Sequence, residues 1–373
     1  MRIAVVSHDV FWPLRGGGGV RVYWVTRSLA AKGHRLRVVA PVLHRNGMDD
    51  AFRNIRIQSI GQVTRFVRMK ELVYAWIMVR IFVKLLPGSY DVMYAHNVVA
   101  ALPALLAGKL KGIPVVFDMD DLLTGYSKNP LVYRLGPFLE RWVARRTNAV
   151  VVTSRIAENC CKAWGVKTVY TVRHGVDLSR FFPRDRARKY VCFTGGMEVN
   201  DGVLLIPDAA REVLRHHPET VFLFAGEGKE QANLNRRIRE LGLSPSFRIL
   251  GWVDQSTVAE LLNQSLIGLI TSLEVSATVF SSPLRSYEYM AVGLPFVASD
   301  LDGIREQVEA SGAGILFRNG DATALAEAIL MLLDNGALRR DLGRNGRKFV
   351  EAHCDWNENA FQIGRICEKS ARV

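Results

Sequence analysis

Along the chain, short runs of β-branched and other apolar residues alternate with longer segments in which apolar positions return every three or four residues. The first pattern is that of buried strands, the second that of amphipathic helices. Strands are expected at residues 3–6, 36–40, 92–95, 114–117, 149–153 and 168–172 in the first half, and at 190–194, 221–225, 247–250, 267–271, 295–298 and 314–317 in the second. Strands separated by helices imply parallel sheets covered on their faces, hence an α/β protein of two Rossmann-like units. The basic, irregular piece Pro183-Arg-Asp-Arg-Ala-Arg-Lys189 reads as the connection between them. From about Thr323 to Val373 the pattern is helical, and no repeat or low-complexity tract interrupts it.

Composition fits this picture. A chain of 373 residues suits two domains, or one large one, with ample core. With 49% apolar and 23% charged residues, it reads as a soluble globular protein. The five cysteines, Cys160, Cys161, Cys192, Cys354 and Cys367, show no paired metal spacing, and a reducing compartment with free thiols is expected. The first residues reach His8 and Asp9 too early for a signal peptide, and no apolar run attains the roughly 20 residues a spanning helix needs. A cytoplasmic protein is the expectation.

A formal charge of +13 is compatible with nucleic acid, an anionic membrane surface or a basic background. No nucleic-acid motif is present, the basic residues are scattered, and no nucleic-acid partner is expected. The best membrane candidate is the segment from Arg65 to Leu86, rich in aromatics and cations. Its Arg and Lys positions spread around the helix, so two readings stand: a core-packed helix with a basic rim, or peripheral contact with the inner face of a plasma membrane.

The most informative stretch is Ser282-Pro-Leu-Arg-Ser-Tyr-Glu288-Tyr-Met-Ala-Val-Gly-Leu-Pro295. Pro283 suits the first turn of a helix, where a missing N–H costs nothing, and the unpaired amides there form an anion site. Arg285 and Glu288, three apart, share a face. A cation beside open helix amides fits a diphosphate, and a carboxylate one turn on fits ribose hydroxyls. Gly293 closes the helix and Pro295 leads into a strand. Together they describe a sugar-nucleotide pocket.

That stretch resembles the donor-site signature of the retaining glycosyltransferases of the GT-B fold, family 4, the group 1 glycosyltransferases. Other family landmarks follow in order over nearly the whole chain. They are the opening strand with its glycine loop, Arg2 to His8 through Gly16-Gly-Gly-Gly19; the helix ending Ala31-Lys-Gly-His34; His96 after Asp91-Val-Met-Tyr-Ala; and His174-Gly-Val-Asp177 leading to Arg180-Phe-Phe-Pro183. Phe224-Ala-Gly-Glu-Gly228, Ile249-Leu-Gly251 and Asp300-Leu-Asp-Gly-Ile304 complete the series. The resemblance implies two Rossmann-like domains facing across a cleft: an acceptor-binding domain at 1–182 and a donor-binding domain at 183–355, with the last helix, 356–373, crossing back to the first. It implies transfer from a nucleoside-diphosphate sugar, with UDP or GDP as the nucleotide, to a hydroxyl acceptor, with retention at the anomeric carbon and without a metal or other cofactor.

Function in such a fold sits at the carboxyl ends of the strands. Gly16, Gly17, Gly18 and Gly19 lie between the first strand and a helix, where a backbone without Cβ atoms lets a ligand approach; the resemblance assigns them to the donor phosphate and sugar. Arg15 and Arg21 flank this loop, either adding charge or standing in solvent. His96 ends a strand at the expected crevice. Alone it reads as a structural hydrogen-bonder, and the resemblance places it against the transferred sugar as a positioning and catalytic group. In Asp118-Met-Asp120-Asp121 the carboxylates read as solvated or paired with Arg before they read as metal ligands, and Asp120 or Asp121 is a candidate acceptor contact.

The chain also departs from the family pattern. The usual signature is Glu-x7-Glu; Glu288 matches the second carboxylate, but Phe280 stands at the first. The usual Arg and Lys on the loop after the first strand of the second domain correspond to Gly196 and Asp201 in Gly195-Gly-Met-Glu-Val-Asn-Asp-Gly202. Arg285, through two parallel charge-assisted bonds, would replace part of the lost charge. Gly195, Ser281, Ser282 and Leu284, through amides or hydroxyls, and Glu198 as a spare carboxylate would hold the sugar nucleotide. The reading is therefore an active retaining transferase acting on a lipid-linked or cell-surface polysaccharide intermediate. The alternatives are a transferase-like scaffold or partner subunit without turnover, and other GT-B chemistry such as a sugar-nucleotide epimerase or phosphorylase.

Overall fold

The computed structural model describes residues 1–14, 16–44, 48, 52, 55–61, 70–120, 122, 130–275 and 282–372. Of the positions singled out above, Arg15, residues 65–69 of the basic segment, Asp121, Phe280 and Ser281 lie outside the described residues. The chain divides into two compact units, Met1–His174 with Trp356–Val373, and Gly175–Asp355.

The first unit is built on seven parallel strands, β1 (Arg2–Ser7), β2 (Arg35–Ala40), β3 (Arg56–Ser59), β4 (Val92–His96), β5 (Val115–Met119), β6 (Ala149–Val152) and β7 (Val169–Thr171), in the order β3-β2-β1-β4-β5-β6-β7. Helices α1 (Gly16–Ala31), α2 (Lys70–Leu85), α3 (Val98–Lys111), α4 (Pro130–Ala144) and α5 (Arg155–Ala163) connect them. β4 and β5 are buried at every residue, which is why their sequences read as continuous runs rather than alternations. The strand order reverses between β1 and β4, and β1 ends beside β4 with Ser7 opposite His96. That reversal is where an open parallel sheet leaves a crevice for ligands.

The second unit repeats the scheme with β8 (Tyr190–Thr194), β9 (Val221–Ala225), β10 (Phe247–Ile249), β11 (Ser265–Ile270), β12 (Phe296–Ser299) and β13 (Gly314–Phe317), ordered β10-β9-β8-β11-β12-β13. Its helices are α6 (Leu205–His216), α7 (Gln231–Glu240), α8 (Gln255–Asn263), α9 (Leu284–Ala291), α10 (Asp302–Ser311), α11 (Ala322–Asp334) and α12 (Gly336–His353). One core, with Tyr289, Met290 and Phe296, covers one face of the sheet. A second, with Phe193, Phe224 and Leu325, covers the other. Here the order reverses between β8 and β11.

The last helix, α13 (Trp356–Ser370), belongs to the first unit although it follows the second in sequence. Trp356 stacks on Trp24 of α1 with ring centroids 6.4 Å apart and planes 8° from parallel. Asn359 Nδ2 donates to the carbonyls of Arg173 (3.1 Å) and His174 (3.2 Å), and Glu368 meets His34 (3.0 Å) and Lys32 (3.3 Å). Every expected strand is present. β3 was not expected: of Arg56-Ile-Gln-Ser only Ile57 is buried, too little apolar content to register as a run.

Candidate functional site

In the second unit the loop after β8 is pressed against the loop after β9. Gly226 has φ +146°, and a Cβ there would overlap the carbonyl of Gly195, so only glycine permits the approach. Gly195 itself has φ +113°, and a Cβ on it would lie 3.2 Å from the Arg285 guanidinium carbon. The missing side chain makes room for the arginine. Arg285, in the first turn of α9, stands 4.5 Å over the Phe193 ring and donates through Nη2 to Asp201 Oδ1 at 2.6 Å. The other carboxylate oxygen of Asp201 accepts the amide of Glu198 at 3.0 Å. Arg285 Nη1 is buried and has no acceptor among the described residues.

Glu288 lies one turn along the same helix and is half-buried. Burial lifts its carboxyl to about 7, against the opposing pull of Arg285 and Arg180. The register of α9 is fixed by Tyr289, whose hydroxyl accepts the Thr194 amide at 3.2 Å and lies 3.3 Å from the Leu269 carbonyl, tying the helix to β8 and β11. Ser282 Oγ meets Tyr287 Oη at 2.7 Å, and Leu284 opens the helix. Glu198, expected as a spare carboxylate, is engaged by Lys229 at 2.5 Å and caps the short turn Val199–Asp201. The structure thus brings Gly195, Arg285 and Glu288 together with Ser282 and Leu284 at the start of α9. It adds Asp201, whose negative charge faces Arg285, the cation on α9 offered to a diphosphate.

In the first unit a polar chain runs along the carboxyl ends of the strands. His96 Nδ1 lies 3.0 Å from Asp9, its Nε2 lies 3.4 Å from Asp120, and Asp120 in turn meets His174 Nε2 at 2.9 Å. Burial opposes charge on the imidazole, but the bonds to Asp120 and Asp9 outweigh it and hold the His96 pKa at about 10. Burial likewise opposes charge on Asp9, and His8 and His96 overcome it to bring that carboxyl down to about 2. The two carboxylates therefore favour the imidazolium form of His96. Its side chain is fully buried, whereas the sequence places it at an open crevice; the two carboxylates enclose it.

The glycine run is also more structured than a loop. Gly16 has φ +73° and opens α1, and Gly17, Gly18 and Gly19 fall in its first turn. A Cβ on Gly18 would lie 2.6 Å from Asp9 Oδ2 and 2.8 Å from His96 Cε1, so this turn rests directly on the charged pair.

Arg21 neither flanks a ligand loop nor stands in solvent. It is fully buried and makes a forked pair with Asp118, Nε to Oδ2 at 2.7 Å and Nη2 to Oδ1 at 2.9 Å, with Tyr94 also bonded to Asp118. Asp118 is thereby consumed. Between the acids stands Asn97 at φ 62° and ψ 161°, a strained region for any residue but glycine. Its amide donates to Asp118 O at 2.8 Å and its Oδ1 accepts from Asp120 N at 3.3 Å.

Sequence reading missed Asp9, His174, Asn97 and Asp201 as members of these networks. Asp9 and Asn97 carry no motif, and His174 and Asp201 were noted only as a landmark and a departure. Arg21 did leave a signal: a charge within the apolar helix run Val20-Arg-Val-Tyr-Trp-Val25 needs a buried partner.

These groups sit at the carboxyl ends of two parallel sheets, and comparison with known proteins places the chain in a family. The family described as "Glycosyl transferases group 1" matches residues 178–349, and "Glycosyl transferase 4-like domain" matches residues 16–180. The chain belongs to the group 1 glycosyltransferases and has their two-domain GT-B fold. It is 27% identical to a phosphatidyl-myo-inositol mannosyltransferase of Mycobacterium leprae over 100% of this chain and 97% of the relative. It is 24% identical to a glycogen synthase of Mycobacterium tuberculosis over 98% and 94%. Among solved structures, the Anabaena protein HepE in complex with UDP-glucose superposes with a TM-score of 0.77 at 17% identity, covering 99% of this chain and 100% of that one.

Proposed function

We propose that this transferase is retaining and metal-independent, and that it moves a hexosyl group from a UDP- or GDP-sugar to a hydroxyl of a lipid-linked or cell-surface polysaccharide intermediate. One observation carries the donor half: the buried Nη1 of Arg285 at the start of α9, which has no acceptor among the described residues. A buried guanidinium donor without a partner costs stability, and a diphosphate at the open amides of the helix would supply its acceptor. Glu288, one turn on, is the ribose contact; Gly195, Ser281, Ser282 and Leu284 line the diphosphate and sugar; and Glu198 stands at the margin, paired with Lys229.

In the step we assign, the bond from the anomeric carbon to the diphosphate oxygen breaks, and its electron pair leaves with the diphosphate. The acceptor oxygen bonds to the same face of the sugar and gives its proton to the departing oxygen. Such a step needs the leaving charge stabilised and needs no side-chain base. That suits His96, which as an imidazolium has no lone pair to take a proton. We assign it, with Gly16 to Gly19 resting on it, to positioning the transferred sugar, and Asp120 to the acceptor side. The first unit would then take the acceptor and the second the donor.

The HepE complex supports the choice of a UDP-sugar. The name of the mannosyltransferase relative specifies a phosphoinositide lipid, which supports a lipid-linked acceptor. On α2 the apolar side chains of Trp76, Val79 and Val83 are exposed beside Arg80 and Lys84, the make-up of a helix lying on an anionic membrane. Among the described residues no helix is long and apolar enough to cross a membrane, so peripheral contact at the cytoplasmic face is the form we propose. A second reading, a scaffold or partner subunit without turnover, is favoured by Asp201, which neutralises Arg285 where the family carries a cation, and by the departures at Gly196 and Phe280.

The test mixes the protein with UDP-, GDP-, ADP- and TDP-sugars, with and without a membrane lipid extract, and reads nucleotide release. Release from a UDP- or GDP-sugar that rises with lipid is expected. No release from any donor, with or without lipid, would favour the scaffold.

A further inference from the structure

The second unit carries a cavity of about 580 Å³ at the opposite end of its sheet from Arg285. Its walls include Arg188, just before β8, Gly293 and Pro295, just before β12, and one side of α12. These are the amino ends of the strands, whereas Gly195 and Arg285 sit at the carboxyl end of β8. A strand of that length spans roughly 16 Å, so the cavity is not part of the donor site. α12 approaches closely because Gly343 faces Gly293: a Cβ at 343 would overlap the Gly293 carbonyl.

Six cations line this cavity: Arg188, Arg339, Arg340, Arg344, Arg347 and Lys348. Arg344 pairs with Asp341, and Arg347 with Glu351 at 2.7 Å. Among the described residues no carboxylate lies in ion-pairing contact with the other four. Arg188 is half-buried and spends its donors on the carbonyls of Gly293 (3.2 Å) and Val292 (3.1 Å). Arg339 does the same with the carbonyls of Leu332 and Leu333. Carbonyls fix a guanidinium without cancelling its charge. Burial depresses the pKa of both, and for Arg339 the neighbouring Arg340 depresses it further against the opposing pull of Asp334. Gly336, the first residue of α12, also lines the cavity and brings the positive end of the helix to it.

We propose that this cavity is a second ligand site, separate from the donor site, that binds a small organic molecule through one or more phosphate groups. Four cations around one concavity with no ion-paired carboxylate among the described residues suit a multiply charged anion, and planar guanidinium groups match phosphate oxygens. The volume exceeds that of a bare phosphate and suits a ligand of metabolite size. The same chemistry is offered by a soluble phosphorylated metabolite and by a phospholipid headgroup.

The experiment measures binding of inorganic pyrophosphate by calorimetry at physiological salt, which suppresses loose surface association, and binding to phosphatidylglycerol vesicles diluted in phosphatidylcholine. Both are run on the intact protein, on Arg340→Glu with Lys348→Glu, and on Arg285→Ala. Arg340 and Lys348 are exposed, so the double variant should fold; its circular dichroism and melting temperature check that. The expected result is pyrophosphate affinity roughly tenfold weaker or worse in the double variant, and a pyrophosphate component that persists in Arg285→Ala. If instead only the vesicles bind, and the double variant abolishes it, the ligand is a headgroup. If neither probe responds to the double variant, or all pyrophosphate binding is lost in Arg285→Ala, the second site does not exist.

Discussion

Arg285 and Asp201 form a half-buried ion pair of 2.6 Å, each side chain 14% exposed, between the first turn of α9 and the loop after β8. The pair leaves one guanidinium nitrogen for a ligand and sets a carboxylate beside the place where a diphosphate would sit. Removing Asp201 should therefore strengthen binding of the anion, while removing Arg285 should lose the stabilisation of the leaving group. Asp201→Asn is expected to bind UDP several-fold more tightly by calorimetry. Arg285→Ala should lower turnover roughly a hundredfold, the usual scale for one such donor. Unchanged UDP affinity in Asp201→Asn would remove the carboxylate from the site.

Glu288 supplies a pH test. Burial raises its carboxyl from 4.5 to about 7 in the folded protein, so the folded state holds this proton more tightly than the unfolded chain does. The group costs no stability below pH 4.5; the cost grows as pH rises and is complete above about 7. Each pKa unit corresponds to about 1.4 kcal/mol, so Glu288→Gln should raise stability by about 1–3 kcal/mol at pH 8 and by little near pH 4.5. Urea midpoints at the two pH values check this. An equal gain at both would mean that the carboxylate is not buried at a cost. The same variant should bind nucleotide more weakly, since the ribose loses its charged acceptor.

His96 behaves in the opposite sense. Its pKa rises from 6.5 to about 10 on folding, so its stabilising charge is fully present below pH 6.5 and is lost as pH climbs through 10. Nitrogen NMR of the ring should show both nitrogens protonated at pH 8. His96→Gln would leave Asp9 and Asp120 without their shared cation, at a cost of about 3–5 kcal/mol if the site stays dry. A neutral His96 ring at pH 8 would contradict the charged arrangement and reopen a role as a base.

The buried fork of Arg21 and Asp118 predicts that Arg21→Lys is not conservative. A single ammonium cannot reproduce two parallel bonds to the carboxylate together with the bond to the Val172 carbonyl at 3.2 Å. The expected loss is about 2–4 kcal/mol of folding stability, read from denaturant midpoints, with donor affinity unchanged at temperatures where the variant is folded.

The elements were more legible than the networks. Strands such as Val92–His96 announce themselves because both faces are buried and the signal is local. Helix α9 was equally readable, since proline, arginine, glutamate and glycine fall within twelve residues. The pairs that set charge are long-range: Asp201 and Arg285 are 84 residues apart and Asp9 and His96 are 87, and no periodicity links them. The basic residues looked scattered for the same reason. Arg188 and Arg340 come to line one cavity only once β12 and α12 have packed through Gly293 and Gly343.

The segment left open between core helix and membrane helix has, in its described part, one buried face and one exposed apolar edge. Ile77, Ile81 and Leu85 of α2 are buried, whereas Val79 and Val83 are 62% and 56% exposed and Trp76 is 38% exposed. Arg80 lies over the Trp76 ring at 4.5 Å, keeping a cation beside this apolar edge. In the peripheral-membrane proposal, apolar contact would supply depth and the cations attraction to anionic lipid, each near-surface cation contributing about 1 kcal/mol. Trp76→Ser with Val79→Ser and Val83→Ser should therefore reduce sedimentation with anionic vesicles roughly tenfold. Its melting temperature should stay unchanged, because the buried face of α2 is intact. Full retention of vesicle binding would assign the exposed edge to some other contact and would leave the lipid-linked acceptor supported by the mannosyltransferase relative alone.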